Sequence, residues 1–375
     1  MLLTNLCLVT VSGETIENGW ILFDEKIRAM GDMANFPHSG ATGDIFTQSR
    51  DFSAAPVSCY PGFVDAHTHL GLFGDAQDWN HADGNEKTNP STAQIRALDG
   101  IDPFDLCWAQ ALAAGVTTVC VTPGSANPIA GFGCVLKTYA MGLPSWRILN
   151  GENAMKLALG DNPKRIYGKR DLLPSTRMGT AAFLRQKLAL ARNYEGDDME
   201  LNALSRLFTE KLPAHIHAHR ADDILTALRL ANEFSLEFAI VHCTGGHVVA
   251  QELSGKNVLC GPLLLARCKP ELAQETPKNP ALLHRAGANV AIVTDHPETP
   301  AQYLPVTAGL AVREGLPYDI AIRGITLTPA EILGIDKRVG SLEVGKDADM
   351  VLFSADPLTI AAGPVSVVTA GKMQV

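Results

Sequence analysis

The stretch Pro61-Gly62-Phe63-Val64-Asp65-Ala66-His67-Thr68-His69-Leu70-Gly71 sets two imidazoles two residues apart at the end of an apolar run. Side chains on a strand alternate in direction, so a strand over Phe63 to His67 points His67 and His69 the same way. Two imidazoles on one face can hold one metal ion. Histidines at this spacing also arise by chance, and the rest of the chain decides. Ligand-type residues recur at the ends of later apolar strands: His217 closes Ala214-His215-Ile216-His217, His242 closes Ile240-Val241-His242, and Asp295 stands in Val293-Thr294-Asp295-His296. A lone strand-end histidine is more often a satisfied polar residue than a ligand. Five such positions in register are hard to attribute to chance. Asp295 has a second possible job, because a carboxylate beside a metal can take a proton from water and deliver it to a leaving group. An N-cap role, suggested by Pro297 two residues on, is compatible with it.

The elements that must position these groups alternate between strand and helix. Asp102 with Pro103 reads as a helix start, the apolar run reaches Ala114, and Gly115 stops it before the strand Val116 to Val121. Helix-like Arg177 to Tyr194 and Leu201 to Glu210 precede the strand Ala214 to His217. Helix-like Asp223 to Phe234 precedes Glu237 to His242, and strands Asn257 to Cys260 and Ala288 to Val293 follow. This alternation predicts a parallel sheet covered by helices, and the number of units favours a closed (β/α)8 barrel of the TIM type, class α/β. Gly133 to Tyr139, Ser145 to Leu149 and Ala154 to Leu159 compete for the strands between Val121 and Asp161. Catalytic side chains of such barrels sit at the C-terminal strand ends. Residues 1–60 and 336–375 read as short strands and turns, which predicts one small β-sandwich built from both ends around a barrel over 61–335.

The chain has 375 residues, 46% hydrophobic and 19% charged, with a net charge of −9 and no basic stripe, which argues against nucleic acid and anionic membranes as partners. No apolar run approaches the roughly 20 residues that cross a bilayer. The start lacks the features of a signal peptide, and eight cysteines without paired spacing point to free thiols, so a cytoplasmic location is expected. A small-molecule substrate and a homo-oligomer are expected.

With these residues in view, the chain resembles the metal-dependent amidohydrolase superfamily, in the branch with imidazolonepropionase and prolidase-like enzymes. The resemblance rests on Pro61 to Gly71, Pro213 to His219, Val241-His242, Thr294 to Pro297 and the closing Gly340-Ser341-Leu342-Glu343-Val344-Gly345-Lys346-Asp347-Ala348-Asp349. It implies hydrolysis of a C–N bond, in an amide, cyclic amide or dipeptide, by metal-activated water. The alternatives are deamination of a heterocyclic ring with the same ligands, or a non-catalytic scaffold. It further implies His67, His69, His217, His242 and Asp295 as ligands, with Asp295 also the proton shuttle. Zinc is the expected cofactor, as one or two divalent ions, and Fe, Mn or Ni suit the same donors. Lys156 looks like the carboxylated lysine that bridges two metals in some members, with Asp161 and Glu152 as rival carboxylates. His215, His217 and His219 share one face, and the resemblance selects His217, leaving His219 near the substrate. Imidazolonepropionase has an acidic residue where Arg220 stands, which points to Arg220 as partner of a substrate carboxylate. Lys164, Arg165 and Arg177 are further cations near the expected barrel mouth, and residues 74–90 read as a candidate lid.

Overall fold

The computed structural model of the chain describes residues 1–37, 48–74, 81–139 and 148–374. Strands β1 (Leu2–Leu8), β2 (Ile16–Phe23), β3 (Ile27–Asp32), β4 (Ser49–Asp51) and β5 (Ser58–Pro61) come before the central domain. The central domain holds β6 (Phe63–Thr68), β7 (Val116–Val121), β8 (Ile129–Lys137), β9 (Ile148–Ala158), β10 (Ala214–Ala218), β11 (Phe238–His242), β12 (Asn257–Cys260) and β13 (Asn289–Ile292). After it come β14 (Met350–Phe353), β15 (Ser366–Thr369) and β16 (Lys372–Met373). The helices are α1 (Cys107–Ala113), α2 (Asp161–Gly168), α3 (Arg177–Ala191), α4 (Met199–Thr209), α5 (Ala221–Phe234), α6 (Asn279–Arg285), α7 (Leu304–Arg313), α8 (Tyr318–Arg323) and α9 (Leu327–Ile332).

The central strands hydrogen-bond in the order β6 to β13, giving a nearly closed eight-stranded sheet. Its edges meet through the segment that follows β13, with Asp295 N–H donating to His67 O (3.1 Å) and His69 N–H to His296 O (2.9 Å), while Val64 N–H donates to Ile325 O (2.8 Å) in the segment after α8. The sheet departs from the expected parallel pattern at one place. β8 runs antiparallel to both β7 and β9. Only residues 122–128 separate β7 from β8, and a parallel return needs a crossover of a dozen or more residues. Among the competing strands, residues within 133–139 and 154–159 join β8 and β9, while Ser145 to Arg147 lie outside the described residues.

Pleat alternation sorts the side chains. On β10, Ala214, Ile216 and Ala218 pack outward into the large helix-facing core. Val64, Ala66, Val135, Ala239, Val241, Leu259, Ala291 and Val293 fill the barrel interior, with Ala330 and Ile332 of α9 and the following Leu333 in the same cluster. That apolar filling leaves the polar strand ends for the site. Helix α1 starts at Cys107 instead of Asp102. The Asp102 carboxylate accepts from Phe104 N–H (2.8 Å) and that of Asp105 from Cys107 N–H (3.0 Å), so two local turns consume the expected first turn.

Strands from both chain ends share one sheet, β16-β15-β14-β5-β1-β2-β3 with β4 on β1, around its own apolar cluster. A buried charge cluster ties it to the barrel. Lys137 of β8 pairs with Asp349 and, at 3.0 Å, with Asp347, which also engages Lys26 and Arg338. The described cysteines are free thiols. No described helix is long and apolar enough to cross a membrane.

Candidate functional site

His67, His69, His217, His242 and Asp295 converge at one end of the barrel. Asp295 Oδ1 lies 3.3 Å from Nε2 of both His67 and His69, and Oδ2 lies 3.7 Å from His242 Nδ1. The rings of His67 and His242 are 5.1 Å apart and those of His217 and His242 4.5 Å. Two donor triads, His67–His242–Asp295 and His217–His219–His242, each have ligand atoms within 4.8 Å of one another. These triads share His242.

Backbone conformation helps to aim the groups. On β11 Ala239 and Val241 face inward while Ile240 faces the helices, so strict alternation would send His242 outward. Its φ of +69° reverses that direction, and Cys243 (+55°) and Asp295 (+55°) are left-handed too. Such residues cost about 1–3 kcal/mol each and persist where surrounding structure over-determines them.

Hydrogen bonds fix the tautomers. His69 Nδ1 lies 2.7 Å from the Thr122 carbonyl and His242 Nδ1 2.9 Å from the Gly261 carbonyl. A carbonyl only accepts, so both Nδ1 atoms carry a proton, which leaves Nε2 of each ring as the atom that can serve a metal. His67 Nδ1 sits 3.3 Å from Thr122 Oγ1, and His219 Nδ1 2.8 Å from Thr244 Oγ1. His69 Nε2 thus faces a carboxylate oxygen, a contact that a bound divalent cation would bridge. Burial holds His67, His217 and His242 well below the usual imidazole range and His219 at about 4, so these rings are neutral. Burial alone would raise Asp295, but His242, His67 and His69 outweigh it and keep the carboxylate ionised. Neutral imidazoles beside an ionised carboxylate are the protonation states a divalent ion requires. His217 has both ring nitrogens, and Asp295 its Oδ1, buried without a hydrogen-bond partner. Buried polar atoms rarely stay unpaired, and this donor set fits a divalent cation.

Lys156 is buried on β9 with Nζ 3.1 Å from His67 Nε2. Burial lowers its amine to about 8. Its rivals lie elsewhere: Glu152 pairs with Arg206 and Arg96, and Asp161 with Arg177 at 2.6 Å. His215, level with Lys156 on the neighbouring strand, has both ring nitrogens buried and unpartnered and is pushed down to about 3 by burial and then by Lys156.

The donors open on a cleft of about 320 Å³ whose lining includes His69, His217, His219, His242, Asp295, Asn85, Ser125, Asn162, Lys87, Arg165 and Lys269. His219 is in place, but Arg220 is not. It is exposed, caps α5 from outside the cleft and makes two hydrogen bonds to Asp222 (2.8 and 2.9 Å). The strand ends at Ala218 and His219 is the last inward side chain before α5 begins, so the next residue turns to solvent. Arg177 opens α3 and is spent on Asp161 and Asp223, and Lys164 does not line the cleft. Of the expected lid, residues 75–80 lie outside the described residues, while Asn85 and Lys87 reach the cleft.

Several contributors were not legible as site residues. Thr122 and Gly261 each follow a strand by one residue, a position signal that could have singled them out. Asp65 accepts from Thr294 Oγ1 (2.5 Å) and Thr294 N–H, lashing β6 to the segment bearing Asp295, and burial raises it to about 7. Buried Glu271 lies 3.0 Å from Lys269 and 4.0 Å from His219 and receives Asp161 N–H.

Residues 59–373 match the amidohydrolase family. A solved amidohydrolase from Thermotoga maritima MSB8 is 35% identical with a TM-score of 0.92, covering 99% of this chain and 98% of that one. Amidohydrolase tasK of Hapsidospora irregularis is 29% identical over 352 residues, 84% of this chain, which spans only 36% of that protein. An imidazolonepropionase of Mesorhizobium japonicum is 26% identical over 330 residues, 79% of this chain and 77% of that one.

Proposed function

Because the chain belongs to the amidohydrolase family of hydrolases, we propose that it cleaves a C–N bond of a small molecule, an amide, cyclic amide or dipeptide, at a zinc-type centre held by His67, His69, His217, His242 and Asp295. The observation that carries the reading is the convergence of His67, His69, His217 and His242 on the one buried carboxylate of Asp295, with His69 and His242 held through Nδ1 by the Thr122 and Gly261 carbonyls. A divalent ion bound there supplies Lewis-acid polarisation and a lowered pKa for water.

The chain's own groups do the rest. Asp295 takes a proton from the attacking water and returns it to the departing nitrogen, so the C–N bond breaks as a C–O bond forms. His219 faces the substrate, oriented by Thr244. Lys156 as an ammonium would compete with a cation for His67 Nε2. Its lowered pKa favours the neutral amine that carboxylation requires, and carboxylation would turn a rival cation into a bridging ligand. The terminal module is proposed as the sandwich of the fold, on the support of its separate apolar cluster.

Replacing Asp295 with Asn should leave a folded protein and lower turnover by about 10²–10⁴-fold; normal turnover would remove the shuttle. Metal per chain is read on the same preparations. Two equivalents falling to one or none in Lys156→Ala support the bridge, whereas unchanged metal and rate in that variant dismiss it. Release of ammonia in place of an amine or ring-opened acid would move the reaction to deamination.

A further inference from the structure

His219 is close enough to His217 and His242 to join them on a metal ion, since ligand atoms of the three lie within 4.8 Å of one another, and its ring stacks on that of His242 at 4.6 Å. Its surroundings are nevertheless the reverse of those around His69 and His242. Those two rings each give Nδ1–H to a backbone carbonyl, which frees Nε2 for a metal. At His219, Nδ1 instead meets a hydroxyl, Thr244 Oγ1 at 2.8 Å, which can donate. Among the described residues Thr244 Oγ1 has no other hydrogen-bond partner, so its proton is spent only if it points at Nδ1. Nε2 faces an acceptor, Glu271 Oε1 at 4.0 Å. That oxygen is buried and receives no hydrogen bond, and Lys269 Nζ at 3.0 Å balances its charge. The carboxylate is locked in this orientation from behind. Its Oε2 accepts from Asp161 N–H (3.1 Å) at the start of α2, and a Cβ on Gly160 would come within 3.1 Å of it.

We propose that Glu271 is a positioning residue that keeps the His219 proton on Nε2, so that His219 enters the cleft as a hydrogen-bond donor to the substrate and stays out of the metal set. A carboxylate draws the ring proton to the nearer nitrogen, and a hydroxyl that donates to Nδ1 occupies the remaining lone pair, so neither nitrogen is left for a cation. The 4.0 Å between Nε2 and Oε1 exceeds a hydrogen bond. The N–H is therefore unspent and available to an acceptor oxygen of a bound amide. Glu271 acts by its charge, through His219, without touching the substrate. The use of the N–H in substrate binding rests on the hydrolase reading; the position of the proton does not.

Heteronuclear NMR of the zinc-loaded and the metal-stripped protein, with isotope-labelled histidine, reads the tautomer directly, and the His219 signals are identified by their loss in His219→Gln. In the wild type Nε2 should carry the proton and Nδ1 none. Glu271→Leu should move the proton wholly or in part to Nδ1, whereas Thr244→Val should leave it on Nε2. His69 should keep its proton on Nδ1 throughout, which reports an intact site. A proton on Nδ1 of His219 in the wild type, an unmoved proton in Glu271→Leu, or a proton displaced by Thr244→Val overturns the proposal. The wild type and Thr244→Val decide the matter where Glu271→Leu fails to fold. Chelator competition should give His219→Gln the zinc affinity of the wild type and lower that of His242→Gln by at least about tenfold; a comparable loss in His219→Gln also overturns the proposal. A wild type that binds no zinc would sink the metal centre, while the metal-stripped spectrum still decides where the His219 proton sits.

Discussion

Individual residues at this site act through what their far side touches. Thr122 is the clearest case, because its carbonyl and hydroxyl face the Nδ1 atoms of His69 and His67. Ligand histidines depend on such partners for tautomer and ring orientation, and losing one costs about 10–100-fold in metal affinity. Thr122→Val keeps the carbonyl and removes the hydroxyl, so its effect should sit at the lower end, near tenfold, read by chelator competition. No loss would show that His67 is held by packing alone. The sequence motif exposed both histidines but could not show this partner, which lies more than fifty residues downstream.

At the scale of the element, strand ends matter more than strand interiors. Gly261 follows β12 with φ +151°, and a Cβ there would stand 2.0 Å from the Val293 carbonyl. Its own carbonyl fixes His242. Gly261→Ala should therefore destabilise the fold by about 1–3 kcal/mol and weaken metal binding together, by thermal melts and metal content on one preparation. Stability lost with metal binding intact would mean that the end of β12 moves without disturbing His242. Length of connection governs the remaining element-scale surprise. The seven residues between β7 and β8 force an antiparallel strand into an otherwise parallel run, although the apolar content of β8 reads as that of any barrel strand.

At the scale of the whole molecule, the joint between terminal sheet and barrel is a charge cluster. Burial alone would raise Asp347, but Lys137, Lys26 and Arg338 hold it below the ordinary carboxylate range. A depressed carboxylate adds stability above its unfolded-state pKa and loses it as pH falls through the folded value. Lys137→Met should lower stability near neutral pH by about 3–5 kcal/mol, the cost of breaking a buried pair, and the deficit should shrink on acidification as Asp347 protonates. A deficit constant with pH would assign Lys137 to packing instead. The sequence by itself exposed the family, the strand-helix alternation and the five candidate positions that the structure brings together, because motif spacing and strand-end placement are local properties; the inward aim of His242 needed its left-handed backbone as well. That Lys156 lies beside His67 while Glu152 and Asp161 pair with arginines, that Arg220 and Arg177 are engaged outside the cleft, the reversed β8 and the Lys137 joint were visible only in tertiary structure. Each is a choice among chemically equivalent candidates, and what separates them is distance to a group remote in the chain, which spacing does not encode.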